Sequence, residues 1–284
     1  MNSYVAETYL EQVHQLALGI EFIDPVRGRG LMHPVRVDIE RAIPHAMKRP
    51  SDPYCAFQSI GQAPRSLCRH PSGRYALLYT PGIGDRLTLR IYDHNRFYVP
   101  RSLQVPLLTL EQLEDPENRD YQLRQRRPAL FPGAAYDLCG MATGLRGRVL
   151  RDDQPMRWAC IDARLPENDA LVGRARSDDR GEFLLLLSPG AAPASDLTRT
   201  IPVRISVAGP AVAPVPVQAD IPGRDPLWDL PLEVLPDPGL PDDVASGDVL
   251  PPGYATMAAT RMVDMEIGRM LTGIEVPPFA FVLP

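Results

Sequence analysis

Arg180-Gly181-Glu182-Phe183-Leu184-Leu185-Leu186-Leu187-Ser188-Pro189-Gly190 is the stretch whose reading decides the fold. A glycine free to take positive φ feeds a run of five large apolar residues, and a Ser-Pro-Gly stop closes it. Five residues between turn signals are too few for a helix. The absence of alternation is that of a strand buried on both faces. The same arrangement stands earlier, as Ser72-Gly73-Arg74-Tyr75-Ala76-Leu77-Leu78-Tyr79-Thr80-Pro81-Gly82. Three more landmarks recur around both copies in one order. Arg27-Gly28-Arg29 answers Arg146-Gly147-Arg148. His33-Pro34 leads into the run Val35 to Ile39 as Gln154-Pro155 leads into Met156 to Ile161. Leu87 to Asp93 answers Ile201 to Val207. Four landmarks in one order indicate two tandem copies of one small sandwich; a solenoid needs three or more repeats.

The rest of the chain agrees with an all-β reading. Its 284 residues suffice for two domains, and 44% are hydrophobic, enough for a packed core. The 32 prolines are roughly twice the usual ~5% share and interrupt long helices. Leu18, Ile20 and Phe22 alternate with Gly19 and Glu21 as a strand does. Residues 43–66 form a long polar excursion. Val5, Tyr9, Val13 and Leu16 stand at helical spacing. The expected organisation is an N-terminal helix at 1–17, a first antiparallel sandwich at 18–108, and a linker with one helical turn at 109–144. A second sandwich follows at 145–236, and then a C-terminal helix and extended docking tail at 237–284.

The C-terminal part is expected to make the contacts. Val263, Ile267, Met270, Leu271 and Ile274 have helical spacing, which predicts a helix over 255–271 stopped by Gly273. Met257, Met262, Met265 and Met270 would give it an adaptable apolar surface, offered to a partner or packed on its own second domain. Pro277-Pro278 blocks a helix and keeps the preceding residue extended, and Phe279, Phe281 and Leu283 alternate in the tail. Such a tail is expected to dock on a neighbouring chain, by addition to a sheet edge. The partner-binding candidates are therefore Met262, Met265, Ile267, Met270, Phe279, Phe281 and Leu283. The proline-rich stretch 208–253 is expected to wrap the surface, anchored by Trp228.

The chain carries 30 basic against 35 acidic residues, a net charge of −5, which argues against a nucleic-acid partner. Its densest basic cluster, Arg124, Arg126 and Arg127, reads as a solvated or partner-facing loop. No stretch approaches the ~18 apolar residues of a membrane span, and the start lacks the pattern of a secretory signal, so synthesis and assembly in the cytoplasm are expected. His14, His33, His45, His70 and His94 fall in no metal motif, and neither a nucleophile elbow nor a P-loop is present. Asp152-Asp153, Asp178-Asp179 and Asp242-Asp243 read as turn caps rather than paired catalytic carboxylates. Cys55, Cys68, Cys139 and Cys160 form no CxxC pair, and read as free thiols, with a Cys55–Cys68 disulfide only in an oxidising setting. The expectation is no enzyme, no metal and no cofactor.

The segments 145–158 and 173–185 resemble a carboxypeptidase-regulatory-like domain, through Gly147, Val149, Asp153, Pro155, Ser177, Asp178, Gly181 and Phe183. Ser177 and Arg180 depart from its commoner residues. The resemblance covers 145–207 and implies a transthyretin-like seven-stranded sandwich that serves as an accessory scaffold. Leu87 to Pro100, with Asp93, Arg96, Phe97 and Pro100, resembles a segment of accessory proteins of contractile phage tails and contractile injection systems. That resemblance implies a structural or adaptor subunit present in multiple copies, bound to tail, tube, sheath or baseplate subunits. The alternative is a stand-alone module binding a small ligand or carbohydrate between its sandwiches.

Overall fold

The computed structural model describes residues 15–40, 57–59, 67–79, 83–138, 140–191 and 199–283. Among the described residues the chain is mostly β, with no helix longer than four residues. The first half supplies β1 (Leu16–Ile20), β2 (Ile23–Asp24), β3 (Arg29–Gly30), β4 (Arg36–Glu40), β5 (Phe57–Ser59), β6 (Leu67–Arg69), β7 (Tyr75–Leu78), β8 (Arg86–Tyr92), β9 (Arg101–Pro106) and β10 (Gln125–Arg126). They pair as the sheets β10-β1-β7-β6 and β9-β8-β4-β5, with β2 and β3 a separate hairpin. The second half supplies β11 (Gly144–Arg151), β12 (Gln154–Pro155), β13 (Cys160–Arg164), β14 (Leu171–Arg176), β15 (Glu182–Leu186), β16 (Thr200–Pro210), β17 (Leu232–Val234), β18 (Tyr254–Thr256), β19 (Arg261–Glu266), β20 (Met270–Leu271) and β21 (Phe279–Ala280).

The two halves share a pairing scheme. β7 runs antiparallel to β1, which also takes β10 in parallel; β15 runs antiparallel to β11, which takes β20 and β21 in parallel. The order β5-β4-β8-β9 corresponds to β14-β13-β16 followed by β18 and β19. The glycine turns before β7 and β15 share three hydrogen bonds. In one, the His70 N–H donates to Arg74 O (2.8 Å), the Gly73 N–H to His70 O (2.9 Å) and the Ser72 N–H to His70 Nδ1 (3.1 Å). In the other, the Asp178 N–H donates to Glu182 O (2.8 Å), the Gly181 N–H to Asp178 O (3.1 Å) and the Arg180 N–H to Asp178 Oδ1 (2.8 Å). Gly73 and Gly181 hold φ of 82° and 72°, a region costly for a side chain with a Cβ.

β15 is the wall between two hydrophobic cores. Its Leu184 and Leu186 face the first, with Leu18, Leu77, Ile91 and Leu103; its Phe183 and Leu185 face the second, with Val149, Ile161, Val203 and Val207. That double burial is why the sequence here shows no alternation.

The 211–253 connection between β16 and β18 leaves the second half and crosses to the first. There it lays β17 in parallel on the edge of β9, with Leu232 opposite Ser102 and Val234 opposite Gln104. Leu235 and Ala245 enter the first core before the chain returns. Gly247, at φ 83°, ends the one-turn helix Asp243–Ser246; a Cβ there would lie 2.5 Å from the Phe131 ring. The stretch expected to wrap the surface is thus a strap that pairs as a strand.

Several expectations are corrected. No helix spans 255–271: that segment holds β18, β19 and β20, and Val263 and Met265 alternate inward with Met262 and Asp264 outward. The ladder of β19 with β16, from Thr200↔Glu266 to Ile205↔Arg261, outweighs local helical spacing. The tail is the last strand of the second core. Phe279 and Phe281 are 2% and 5% exposed, the Phe279 and Phe183 rings lie 5.9 Å apart, and the Phe281 N–H donates to Leu150 O at 2.7 Å. Leu16 and Ala17 belong to β1 and Gln15 is not helical, while residues 1–14 of the expected N-terminal helix lie outside the described residues, as do Cys55 and Cys139. The expected linker carries three short 3-10 turns at 112–124, and its later part supplies β10, Leu130 and Tyr136 to the first half. β17 falls within the span expected for the second sandwich, yet it extends the first half's sheet. Among the described residues no helix is long and apolar enough to cross a membrane.

Candidate binding cleft

One carboxylate holds three elements together. Glu233 on β17 accepts from Arg101 Nε on β9 at 2.9 Å and from Arg101 Nη2 at 2.8 Å. It also accepts from Arg176 Nη2 on β14 at 3.3 Å. The first half, the second half and the strap therefore meet at one side chain. All three residues are buried. Arg101 further donates to the carbonyls of Ala129 (2.7 Å), Ala245 (2.8 Å) and Val244 (2.7 Å), which lock the strap's one-turn helix in place. Both guanidiniums stack on Phe131, at 6.0 and 5.3 Å from its centroid. Arg176 also donates to Cys160 Sγ at 2.8 Å. Burial pushes the Cys160 thiol up to about 11, so it stays protonated at neutral pH.

Above this pin lies an open cleft of about 380 Å³, lined from both halves and the strap. The first half contributes the turn between β8 and β9. There the Asp93 carboxylate accepts the N–H groups of Asn95 and Phe97, each at 2.9 Å. That double cap holds Arg96 at φ 60°, and its guanidinium crosses the seam to Asp178 (3.1 Å) and Asp179 (2.8 and 3.2 Å). From the strap, Asp225 accepts from Arg90 at 2.8 Å and from the Leu227 N–H at 3.0 Å. Trp158 forms part of the wall at φ 59°, unusual for so bulky a residue. Its Nε1–H donates to Asp229 at 2.8 Å, and Tyr254 donates to its carbonyl at 3.0 Å. Burial raises Asp229, against the opposing pull of Trp158 and Arg157. His94 stands exposed on the rim, edge-on to Tyr92 at 5.0 Å. Burial, with Asp38 adding, pushes Tyr92 up to about 12. Two non-glycine residues in left-handed backbone on facing walls mark a site whose shape the surrounding structure enforces.

Chemically the cleft offers aromatic and proline surfaces bounded by ion pairs that are already made. Among the described residues no group of three or more His, Cys, Asp or Glu side chains converges as a metal site would require. The seven residues expected from sequence to bind a partner do not share a face. Met265, Phe279 and Phe281 lie in the second core, and Met270 packs half-buried against the first; Met262, Ile267 and Leu283 are exposed at 54%, 45% and 39%. The residues missed were Arg101, Trp158, Arg176 and Glu233; Arg96 entered only through the resemblance at Leu87 to Pro100. A signal existed for Glu233, whose apolar neighbours Leu232 and Val234 face outward while the charge faces in, an inverted strand pattern. Arg101 likewise stands in phase with inward Leu103 and Val105. The chain matches no protein-family model, no curated protein and no solved structure.

Proposed function

We propose that the chain is a non-enzymatic structural or adaptor subunit of a contractile tail-like particle, a baseplate, cap or sheath-connecting protein, and that its halves are tandem transthyretin-like sandwiches. The observation that carries this reading is the pin at Glu233. A carboxylate that binds an arginine from each half, with a strap paired across the seam, makes two sandwiches into one stiff block. Stiffness of that kind suits a part that transmits position between subunits. The common pairing scheme and the matched glycine turns support duplication of one sandwich. Asp93, Arg96 and Pro100, which carry the resemblance to contractile-tail accessory proteins, also line the seam. Partners would be tail, tube, sheath or baseplate subunits, met in the cytoplasm during assembly and kept in the finished particle. The test is to tag the chain in the cells that encode it and sediment their lysate. Co-migration with tube and sheath proteins in a high-mass fraction at fixed stoichiometry is the expected result; a chain found only at monomer mass refutes the reading. The cleft favours a second reading, a module binding a neutral ligand or carbohydrate, and glycan-array binding by the isolated protein would support that instead.

A further inference from the structure

We propose that the cleft at the seam receives the proline-rich segment 210–218 of a second copy of this chain, joining copies head to tail. The inference rests on the seam's geometry and not on the contractile-particle reading.

Charge selects the occupant. Arg90 pairs with Asp225, Arg96 with Asp178 and Asp179, and Asp93 is capped by two backbone N–H groups. The lining holds four carboxylates against two guanidiniums, so an anion is repelled, and a cation finds only carboxylates already bonded to Arg90, Arg96 or backbone N–H groups. A neutral occupant meets no such cost. The walls suit a proline-rich chain. Tyr92, His94 and Trp158 with Pro100 and Pro226 form the kind of aromatic surface on which polyproline segments pack, and 380 Å³ lies within the roughly 300–1,000 Å³ of ligand sites.

The chain itself presents such a ligand. Pro210-Ala211-Val212-Ala213-Pro214-Val215-Pro216-Val217-Gln218 carries no charge. Val212, Val215 and Val217 are 81%, 80% and 91% exposed, a density of apolar exposure that marks an interaction site. The segment is tied at its ends by Ala211 N–H to Gly253 O (2.8 Å) and Ile221 N–H to Gln218 O (3.2 Å). Among the described residues nothing hydrogen-bonds the backbone between 212 and 217. Its prolines restrict the backbone before docking, so little further entropy is lost. At three residues per polyproline turn, Val212 and Val215 share one side while Pro214 and Val217 share the next. None of these residues lines the chain's own cleft. Segment and cleft are different patches of one molecule, so their contact is heterologous and propagates into rings or filaments.

The test uses the full chain and an acetylated, amidated peptide of residues 210–218. Light scattering after gel filtration should show mass rising with concentration. The peptide should change tryptophan fluorescence saturably, since Trp158 lines the cleft. Val215→Glu with Val217→Glu, at exposed positions, should abolish self-association yet leave peptide binding intact. Ala134→Phe, which fills the cleft, should abolish self-association and weaken the peptide at least about tenfold. His94→Glu on the exposed rim serves if that variant fails to fold. An equimolar mixture of segment and cleft variants should form a 1:1 dimer and nothing longer, because each retains one half of the contact. A wild-type chain that stays monomeric without binding the peptide, an oligomer indifferent to both variants, a mixture that forms no dimer, or fluorescence changes with maltose but not with the peptide would each overturn the proposal.

Discussion

Replacing Glu233 by Gln keeps the shape of the pin and removes its charge. Two buried guanidiniums, Arg101 and Arg176, then face one another with no anion between them. Breaking a buried ion pair from one side costs about 3–5 kcal/mol, because the remaining charge stays desolvated and unpaired. Set against a total stability of ~5–15 kcal/mol, that is a large share. At about 2–4 °C per kcal/mol for a chain of this size class, the melting midpoint should fall by roughly 6–20 °C. Scanning calorimetry and urea titration measure it. The location of the pin predicts more than a lower midpoint. Glu233 fastens the strap to both halves, so the variant should lose cooperativity and show the first half's transition separating from the second's. Arg101→Met, Glu233→Leu and Arg176→Met together should recover only part of the loss, since an apolar trio needs no counter-charge but leaves the carbonyls of Ala129, Val244 and Ala245 without the Arg101 donor. A Glu233→Gln protein within about 1 kcal/mol of wild type, the range of a surface pair, would refute the view that this carboxylate joins the halves.

Leu185→Asp should abolish soluble expression. Leu185 is fully buried, and an unpaired carboxylate there costs several kcal/mol; a near-wild-type melting temperature would show that β15 is not core. Phe279→Ala should destabilise by about 3–5 kcal/mol in urea, and truncation after Thr272 by at least as much; an unchanged midpoint would mean the tail does not belong to the second core. Cys160 titrates near 11 when folded against an ordinary value of 9.0, so the folded state holds its proton more tightly. Stability that Cys160 contributes is therefore full below pH ~9 and lost as pH rises to ~11. Wild-type stability should fall across that window more steeply than that of Cys160→Ala, by about 2–3 kcal/mol at most, and equal slopes would contradict the burial of the thiol.

The β class was legible from the sequence because its causes are local. Proline frequency limits helices, glycine turns at 73 and 181 need positive φ, and the run at 183–187 is too short and too apolar to be anything but an interior strand. The recurrence of those turns in one order reflects two halves that pair alike. Residues 255–271 were misread because Val263, Ile267 and Met270 satisfy helical spacing while Val263 and Met265 satisfy a strand's, and only the open edge of β16 chooses between them. The tail's fate was hidden for the same reason: its apolar alternation requires burial but does not say against which chain, and the slot beside β11 answers that. The seam was the least visible part. Arg101, Arg176 and Glu233 are separated by 75 and 57 positions, and although strand phase turns Arg101 and Glu233 inward, nothing in the sequence pairs the three. They acquire meaning only when the strap crosses to β9, because an ion pair's worth depends on distance and on the exclusion of water, and tertiary packing determines both.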